Sequence, residues 1–145
     1  MWRETAGQAF SDAEFRSPVE ATALAAAEQR LGCSLPSELV SLLQETDGIV
    51  GPYGVDTVWP LERIVEQNLH FWSGSTYADL YMPFDALIFF GDSGDGDQFA
   101  FVRTPQRAGI FVWDHENDSR RWVARDLQDY LKRSLAGDSD EEWYR

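Results

Sequence analysis

Residues 91–97 combine three aspartates and three glycines in one short loop between two apolar runs. Glycine adopts positive φ angles without steric cost, so this alternation predicts a tight turn that holds carboxylates close together. Such a turn binds a cation, meets a basic protein, or serves only to reverse the chain. In the last case Asp92 and Asp97 accept hydrogen bonds from turn amides. Asp95, in the middle of the loop, is the residue that we expect to face outward.

The acidic loop does not have the ligand spacing of a calcium site. Calcium loops between helices need oxygen ligands at alternate positions and a glutamate further along the chain. Counted from Asp92, the third and fifth positions are Gly94 and Gly96; counted from Asp95, the fifth position is Phe99. We therefore expect this loop to hold neither a metal ion nor a cofactor.

A second polar cluster, Trp113-Asp114-His115-Glu116, places an imidazole between two carboxylates. This combination is used in general acid–base catalysis, but a solvated turn at the end of a strand explains it as well. The sequence also has no glycine-rich phosphate loop before a helix and no serine in a strand-to-helix elbow. The favoured interpretation is a protein that is not an enzyme. A metal-dependent hydrolase that uses His115, Glu116 and the aspartate loop is an alternative.

The composition limits the possible partners. The chain has 145 residues and a formal net charge of −13, with an isoelectric point near 4.3. Nucleic acids and anionic bilayers repel such a surface, whereas a basic protein is attracted to it. Cys33 is the single cysteine, so the chain forms no internal disulfide. No apolar run has the length of a signal peptide core or a membrane span, and we expect a cytoplasmic protein.

The apolar pattern predicts two helices, a strand, a helix, a run of antiparallel strands and a closing helix. The predicted helices run from Ser17 to Gly32, from Leu35 to Gly48, from Pro60 to Trp72 and from Asp126 to Leu135. The predicted strands are Val55–Trp59, Ala86–Phe90, Gln98–Val102, Gly109–Trp113 and Arg121–Ala124. This order indicates a single α+β domain in which a helical hairpin and further helices pack on a mostly antiparallel sheet.

Most of the many aromatic residues occur at core spacing, including Phe89, Phe99 and Trp122. Trp72 and Tyr77 are harder to place inside the domain. Aromatic side chains beside acids on a partly exposed surface are typical of protein interfaces. Trp72 and Tyr77 are therefore candidate anchors for a partner.

Three segments in order resemble the SUKH superfamily, which includes fungal regulators of cell-wall synthesis and many bacterial immunity proteins. The first is Leu31-Gly32-Cys33-Ser34-Leu35-Pro36, which continues through leucines to Asp47-Gly48. The second is the glycine–aspartate hairpin from Phe90 to Asp97. The third runs from Ile110 to Glu116 and on through Trp122-Val123-Ala124 into a final amphipathic helix. Asp47 stands where asparagine is common in the family.

The resemblance implies a protein-binding domain over residues 18–135, preceded by an N-terminal extension (1–17) and followed by an acidic tail (136–145) that we expect to be mobile. In bacteria it implies an immunity protein that neutralises a cognate toxin, and the negative charge favours a basic, nuclease-type toxin. A regulatory scaffold for an endogenous cytoplasmic protein is the alternative. The predicted partner-binding residues are Asp92, Asp95, Asp97, Asp114, Glu116, Trp72 and Tyr77.

Overall fold

A computed structural model gives the fold, and it describes residues 1–73, 86–103, 106–136 and 143–144. Within these ranges the chain forms five α-helices and two antiparallel sheets. The helices are α1 (Trp2–Ala9), α2 (Ala21–Leu31), α3 (Ser37–Leu43), α4 (Leu61–Ser73) and α5 (Leu127–Ala136). The strands are β1 (Glu14–Phe15), β2 (Ile49–Val50), β3 (Asp56–Val58), β4 (Leu87–Asp92), β5 (Gln98–Arg103), β6 (Gln106–Asp114) and β7 (Ser119–Ala124). The single-domain α+β fold predicted from the sequence is confirmed.

The larger sheet has the strand order β4-β5-β6-β7, and each strand is antiparallel to its neighbour. In such a meander the turn after β4 and the turn after β6 lie at the same end of the sheet. The turn between β5 and β6 lies at the opposite end. The topology therefore brings the two acidic segments of the sequence, 92–97 and 114–118, to one end.

The outer edge of β4 is closed by groups from outside the larger sheet. The buried Asn68 side chain of α4 donates to Phe89 O at 2.8 Å and accepts from Phe89 N at 2.7 Å. The next carbonyl, Phe90 O, accepts from Trp59 N at 2.7 Å, just beyond the end of β3. β4 is buried from Leu87 to Gly91. The hydrogen bonds above satisfy backbone groups that would otherwise lack partners at the edge of the sheet.

The helices each bury one face in a common core. Ile64 and Val65 of α4, and Tyr130 and Leu131 of α5, are almost fully buried, at the helical spacing that the sequence shows. The leucines of α2 and α3 belong to the same core. Among the helices in the described ranges, none is both long and apolar enough to cross a membrane.

The predicted start of α2 was wrong. The helix begins at Ala21, and its N-terminus has no side-chain hydrogen bond from a capping residue. Ser17 and Val19 are used elsewhere: Ser17 O accepts from Asp47 N at 3.1 Å, and Val19 N donates to Leu43 O at 2.8 Å. These bonds hold the segment against the end of α3, so it cannot form the first helical turn. The predicted end is right, since Gly32 closes the helix with φ of 74°.

The N-terminal segment contains elements that the sequence did not predict. Trp2 and Ala6 of α1 are buried in the core, and β1 joins β2 and β3 in the small sheet. The amides of Trp2 and Arg3 donate to Glu45 Oε1 at 2.9 and 3.2 Å. A distant carboxylate therefore satisfies the first amides of α1, where a local capping residue would otherwise act.

The sequence analysis placed Trp122 in the core, but in the structure it does not lie there. Its side chain is 53% exposed on β7. The ring lies over Gly109 of β6, where an added Cβ would come within 2.4 Å of Trp122 Nε1. The indole thus covers the bare backbone of the glycine on the outer face of the sheet.

Candidate protein-binding site

The two acidic hairpin turns are in direct contact. Asp97 begins the return of the first turn, and its Oδ1 lies 2.7 Å from Nδ1 of His115 in the second. The same oxygen accepts from His115 N at 3.2 Å. We call this region, with Asp92, Asp95, Asp97, Asp114 and Glu116, the acidic end of the sheet. The structure thus brings together all five carboxylates that the sequence analysis selected.

Asp97 is the structural centre of the acidic end. It is 1% exposed, and its second oxygen, Oδ2, accepts from the Tyr144 hydroxyl at 3.0 Å. A carboxylate only accepts hydrogen bonds, so Nδ1 of His115 carries the proton in this contact. The hydrogen bond to Asp97 raises the pKa of His115, and the nearby charges of Glu116 and Asp114 act in the same direction. Asp97 therefore positions its neighbours and shows almost no surface to a partner.

The last aromatic residues of the chain pack against the acidic end. Tyr144 is buried, and Arg121 Nη2 donates to Tyr144 O at 3.0 Å. The Trp143 ring stacks on Phe99 with 5.2 Å between centroids and 25° between planes. Burial raises the pKa of Tyr144, so its hydroxyl stays protonated and donates to Asp97. Trp143 and Tyr144 are therefore packed against the domain, whereas the sequence analysis expected them to belong to a mobile tail.

Asp92 is held on the β3 side of the hairpin. Its Oδ2 accepts from Trp59 Nε1 at 2.8 Å and from Arg63 Nη2 at 3.1 Å. Its Oδ1 accepts from Gly94 N at 2.9 Å, the turn bond that the sequence allowed. The side chain is 16% exposed. Asp92 therefore fixes the start of the turn while keeping part of its carboxylate at the surface.

Asp95 lies at the exposed tip of the first turn, as the sequence predicted. The Ser93 hydroxyl donates to its carboxylate. Gly94 and Gly96, on either side, have φ of 90° and 111°, the conformations that favour glycine. An added Cβ at position 96 would come within 2.8 Å of the His115 ring. The glycines thus let the two turns approach and leave the Asp95 carboxylate facing solvent.

In the second turn, Glu116 is exposed and Asp114 is half-buried. Asp114 Oδ1 accepts from Glu116 N at 3.0 Å, which fixes the backbone of the turn. Asp118, with φ of 57°, accepts from Trp113 Nε1 at 2.8 Å and pairs with Arg120 at 3.1 Å. Glu116 is therefore a second exposed carboxylate on a turn whose shape is set by local hydrogen bonds.

The predicted aromatic anchors are not part of this cluster in the described residues. Trp72 Nε1 donates to Leu87 O at 2.8 Å, at the start of β4. The Arg103 guanidinium lies 4.0 Å from the centre of the Trp72 ring. Since Asp92 ends the same strand, Trp72 lies roughly 17 Å from the acidic end at about 3.4 Å per residue. Tyr77 lies outside the described residues.

Asp97, Asp114 and His115 each offer one potential metal-binding atom, and these atoms lie within 4.8 Å of one another. Both oxygens of Asp97 already accept protein hydrogen bonds, and His115 Nδ1 is one of the donors. A metal ion would have to displace these donors from a buried carboxylate. The hydrogen bonds account for the cluster, and they turn His115 Nδ1 toward Asp97 instead of toward a substrate.

The structure so far defines a single-domain α+β protein whose acidic side chains are ordered at one end of a sheet. The model of the SMI1 / KNR4 family (SUKH-1) matches residues 18–133, so the chain belongs to this family and the resemblance seen in the sequence is confirmed. A comparison with curated proteins gives no match. At the level of the family, membership supports a non-catalytic role in protein–protein interaction. The matched residues include both acidic turns but neither Trp143 nor Tyr144.

Two contributors to the site were missed in the sequence analysis. The pair Trp143-Tyr144 interrupts a polar tail, and two large aromatic rings in such a tail are a signal that the segment packs. Arg63, which binds Asp92 across two elements, left no local signal. Its role follows from the approach of α4 to β4, which sequence spacing does not give.

Proposed function

We propose that this chain is a bacterial immunity protein that binds a cognate toxin domain in the cytoplasm and neutralises it. The toxin is basic, as nucleases are, because their substrate is a polyanion. The binding domain spans residues 18–135. The observation that carries the proposal is the acidic end, where Asp95 and Glu116 are exposed on two turns that Asp97 and His115 join.

Fixed charges suit the capture of a basic protein. Exposed carboxylates attract an oppositely charged surface over a Debye length of about 8 Å at physiological salt, which raises the association rate. The turns around Asp95 and Glu116 are ordered by internal hydrogen bonds. Little conformational entropy is then lost when the partner binds. The net charge of −13 also attracts a basic partner and adds to the effect of these carboxylates.

The half-buried and buried acids contribute in a different way. Asp92 and Asp114 keep part of their carboxylates at the surface, and Asp97 is covered. Asp97 acts on binding through the turns that it joins, whereas Asp92 and Asp114 lie close enough to the surface to meet a partner's cations. Trp72, at the other end of β4, forms a separate contact if the partner is large enough to reach it.

The test is the association rate with the toxin domain that the proposal expects to be encoded beside this gene, measured by stopped flow at low and high salt. Asp95→Asn and Glu116→Gln should each lower the rate about two- to fivefold at low salt, and the difference should shrink at high salt. Glu66→Gln on α4 is the matched control, since it removes the same charge from an exposed residue that belongs to neither turn.

Two results would count against the proposal. If Glu66→Gln has the same effect as Asp95→Asn, net charge and not the acidic end governs capture. If the neighbouring product is not a toxin and growth in its presence does not depend on this chain, the regulatory-scaffold alternative takes its place.

A further inference from the structure

A pocket of about 50 Å³ opens beside the acidic end. We call it the C-terminal pocket. Its walls come from Val55 in the segment before β3, from Asp92 and Ser93, from α5, and from the pair Trp143 and Tyr144. One water molecule needs about 10–15 Å³ measured in this way, so the pocket has room for the end of one side chain.

Four aromatic residues contribute to the walls of the C-terminal pocket. Phe99 and Trp143 are stacked, and Tyr130 meets Trp143 with 5.8 Å between ring centroids. Tyr144 packs edge-on against Phe99 at 5.3 Å. Aromatic faces carry negative potential and attract cations, most strongly where water is partly excluded. Such walls suit a cation with a flat, weakly hydrated surface.

The acidic side of the pocket has unused acceptor capacity. A carboxylate offers about four lone-pair sites, and among the described residues Asp92 accepts three hydrogen bonds, from Gly94, Trp59 and Arg63. Within this part of the chain the fourth site, on Oδ1, is not taken by a donor. A second carboxylate, Asp97, accepts from the Tyr144 hydroxyl at 3.0 Å, so its negative charge lies directly behind this wall of the pocket. Positive charge entering the pocket is therefore stabilised from two sides.

The chain holds one of its own arginines by the same chemistry next to this pocket. The Arg63 guanidinium binds Asp56 at 3.2 Å and Asp92 at 3.1 Å. It also lies 4.8 Å from the centre of the Trp59 ring. A planar guanidinium stacks on a ring while it donates in its own plane, which an ammonium group cannot do. Asp92 thus already takes part in one site of the aromatic–carboxylate type.

We propose that the C-terminal pocket accepts one arginine side chain of the partner protein, with the guanidinium between the aromatic walls and the free site on Asp92. This proposal rests on the proposed function, because it names the anchor that the basic partner inserts. Exposed carboxylates on the two turns guide the approach, and the pocket fixes the register of the complex. Anchors of this kind, buried in a preformed pocket, carry most of the binding energy in interfaces.

The first experiment needs no partner. Nα-acetyl-arginine methylamide is titrated into the labelled protein at constant ionic strength, and the Trp143 indole N–H and Ser93 amide are followed by NMR. Both signals should shift and saturate. The matched citrulline derivative, which has nearly the same shape without charge, should bind about tenfold more weakly or not at all. The lysine derivative should fall between the two. Equal shifts with arginine and citrulline, or none with either, would overturn the proposal.

Ser134 of α5 lines the pocket and offers a matched pair of variants. Ser134→Leu fills the space and should abolish the arginine-induced shifts, whereas Ser134→Ala should keep them. Thermal unfolding checks that both variants fold. If Ser134→Leu does not fold, Trp143→Ala with Trp143→Phe as the aromatic control replaces it, with the Ser93 amide as the readout. Undiminished shifts in the filled or wall-less variant would refute the assignment.

Binding to the toxin domain separates this inference from the function on which it rests. If the pocket takes an arginine of the toxin, Ser134→Leu should weaken the complex at least tenfold, chiefly through faster dissociation, and Ser134→Ala should not. If Ser134→Leu binds as tightly as the wild type, the pocket proposal fails while the immunity proposal stands. If even the wild type does not bind the toxin domain, the immunity proposal fails, and the arginine titration still decides whether the pocket takes a guanidinium.

Discussion

Replacing Asp97 by alanine tests whether one buried carboxylate joins the two turns and the end of the chain. Asp97 accepts three hydrogen bonds, from His115 Nδ1 at 2.7 Å, His115 N at 3.2 Å and the Tyr144 hydroxyl at 3.0 Å. Alanine removes both carboxylate oxygens and with them all three hydrogen bonds. The Tyr144 hydroxyl then loses its carboxylate acceptor, and the second turn loses its link to Asp97 in the first.

The expected loss of stability is about 2–4 kcal/mol. A buried hydroxyl left without an acceptor costs about 1–3 kcal/mol, and a buried charge pair that loses one partner costs about 3–5 kcal/mol. The expected loss is smaller than the sum of these two figures, because the His115 side chain is 36% exposed and water replaces its lost partner. For a domain of this size the midpoint of thermal unfolding should fall by about 5–15 °C.

The measurement is urea unfolding at neutral pH, followed by far-ultraviolet circular dichroism. Tyr144→Phe, which removes only the hydroxyl, should cost about 1–2 kcal/mol. The double variant with Asp97→Ala should lose less stability than the sum of the two single losses, since both substitutions remove the same hydrogen bond. Wild-type stability of Asp97→Ala, or strict additivity with Tyr144→Phe, would show that Asp97 does not hold the chain end and the turns together.

Three further predictions concern the same turns. Gly96→Ala should destabilise the fold by about 1–3 kcal/mol in urea unfolding, because its φ is 111° and the new Cβ would meet His115; Gly7→Ala, with nothing within 4 Å, should not destabilise it. Asp97 raises the pKa of His115, so their contact should contribute fully to the free energy of unfolding below pH 6.5. This contribution should be lost as the pH rises through the raised pKa, and His115→Gln should remove the decline. Asp95→Asn should change the free energy of unfolding by less than about 0.5 kcal/mol and should slow capture of the toxin domain. If this variant does not fold, the loop has a structural role and is not a binding site.

Local patterns in the sequence were sufficient for the elements that form the acidic end. The strands β4 to β7 and the helix α5 were predicted because apolar runs, glycine turns and helical spacing act over a few residues. The exposed position of Asp95 was predicted by the same local reasoning. The fold class followed from the order of these elements.

Contacts between residues far apart in the chain were not predictable in this way. The backbone amide of Trp2 donates to the side chain of Glu45, so the sequence just before α1 has no capping residue that would have predicted the helix. From the sequence we expected Asp97 to accept a hydrogen bond within its turn, but its side chain accepts from donors 18 and 47 residues away. Local rules therefore identified a hydrogen-bonding aspartate correctly and could not identify its partners.

The position of the family match has a consequence for specificity. The match ends at residue 133, so the acidic turns belong to the shared domain, whereas Trp143 and Tyr144 do not. This pair forms one wall of the C-terminal pocket, and the Tyr144 hydroxyl donates to Asp97 from outside the matched region. A change in these residues would alter the pocket and the support of the acidic turns without changing the sheet. Under the proposed function and the proposed arginine pocket, this arrangement separates the attraction of basic partners, which the acidic turns provide, from the choice among them, which the shape of the pocket provides.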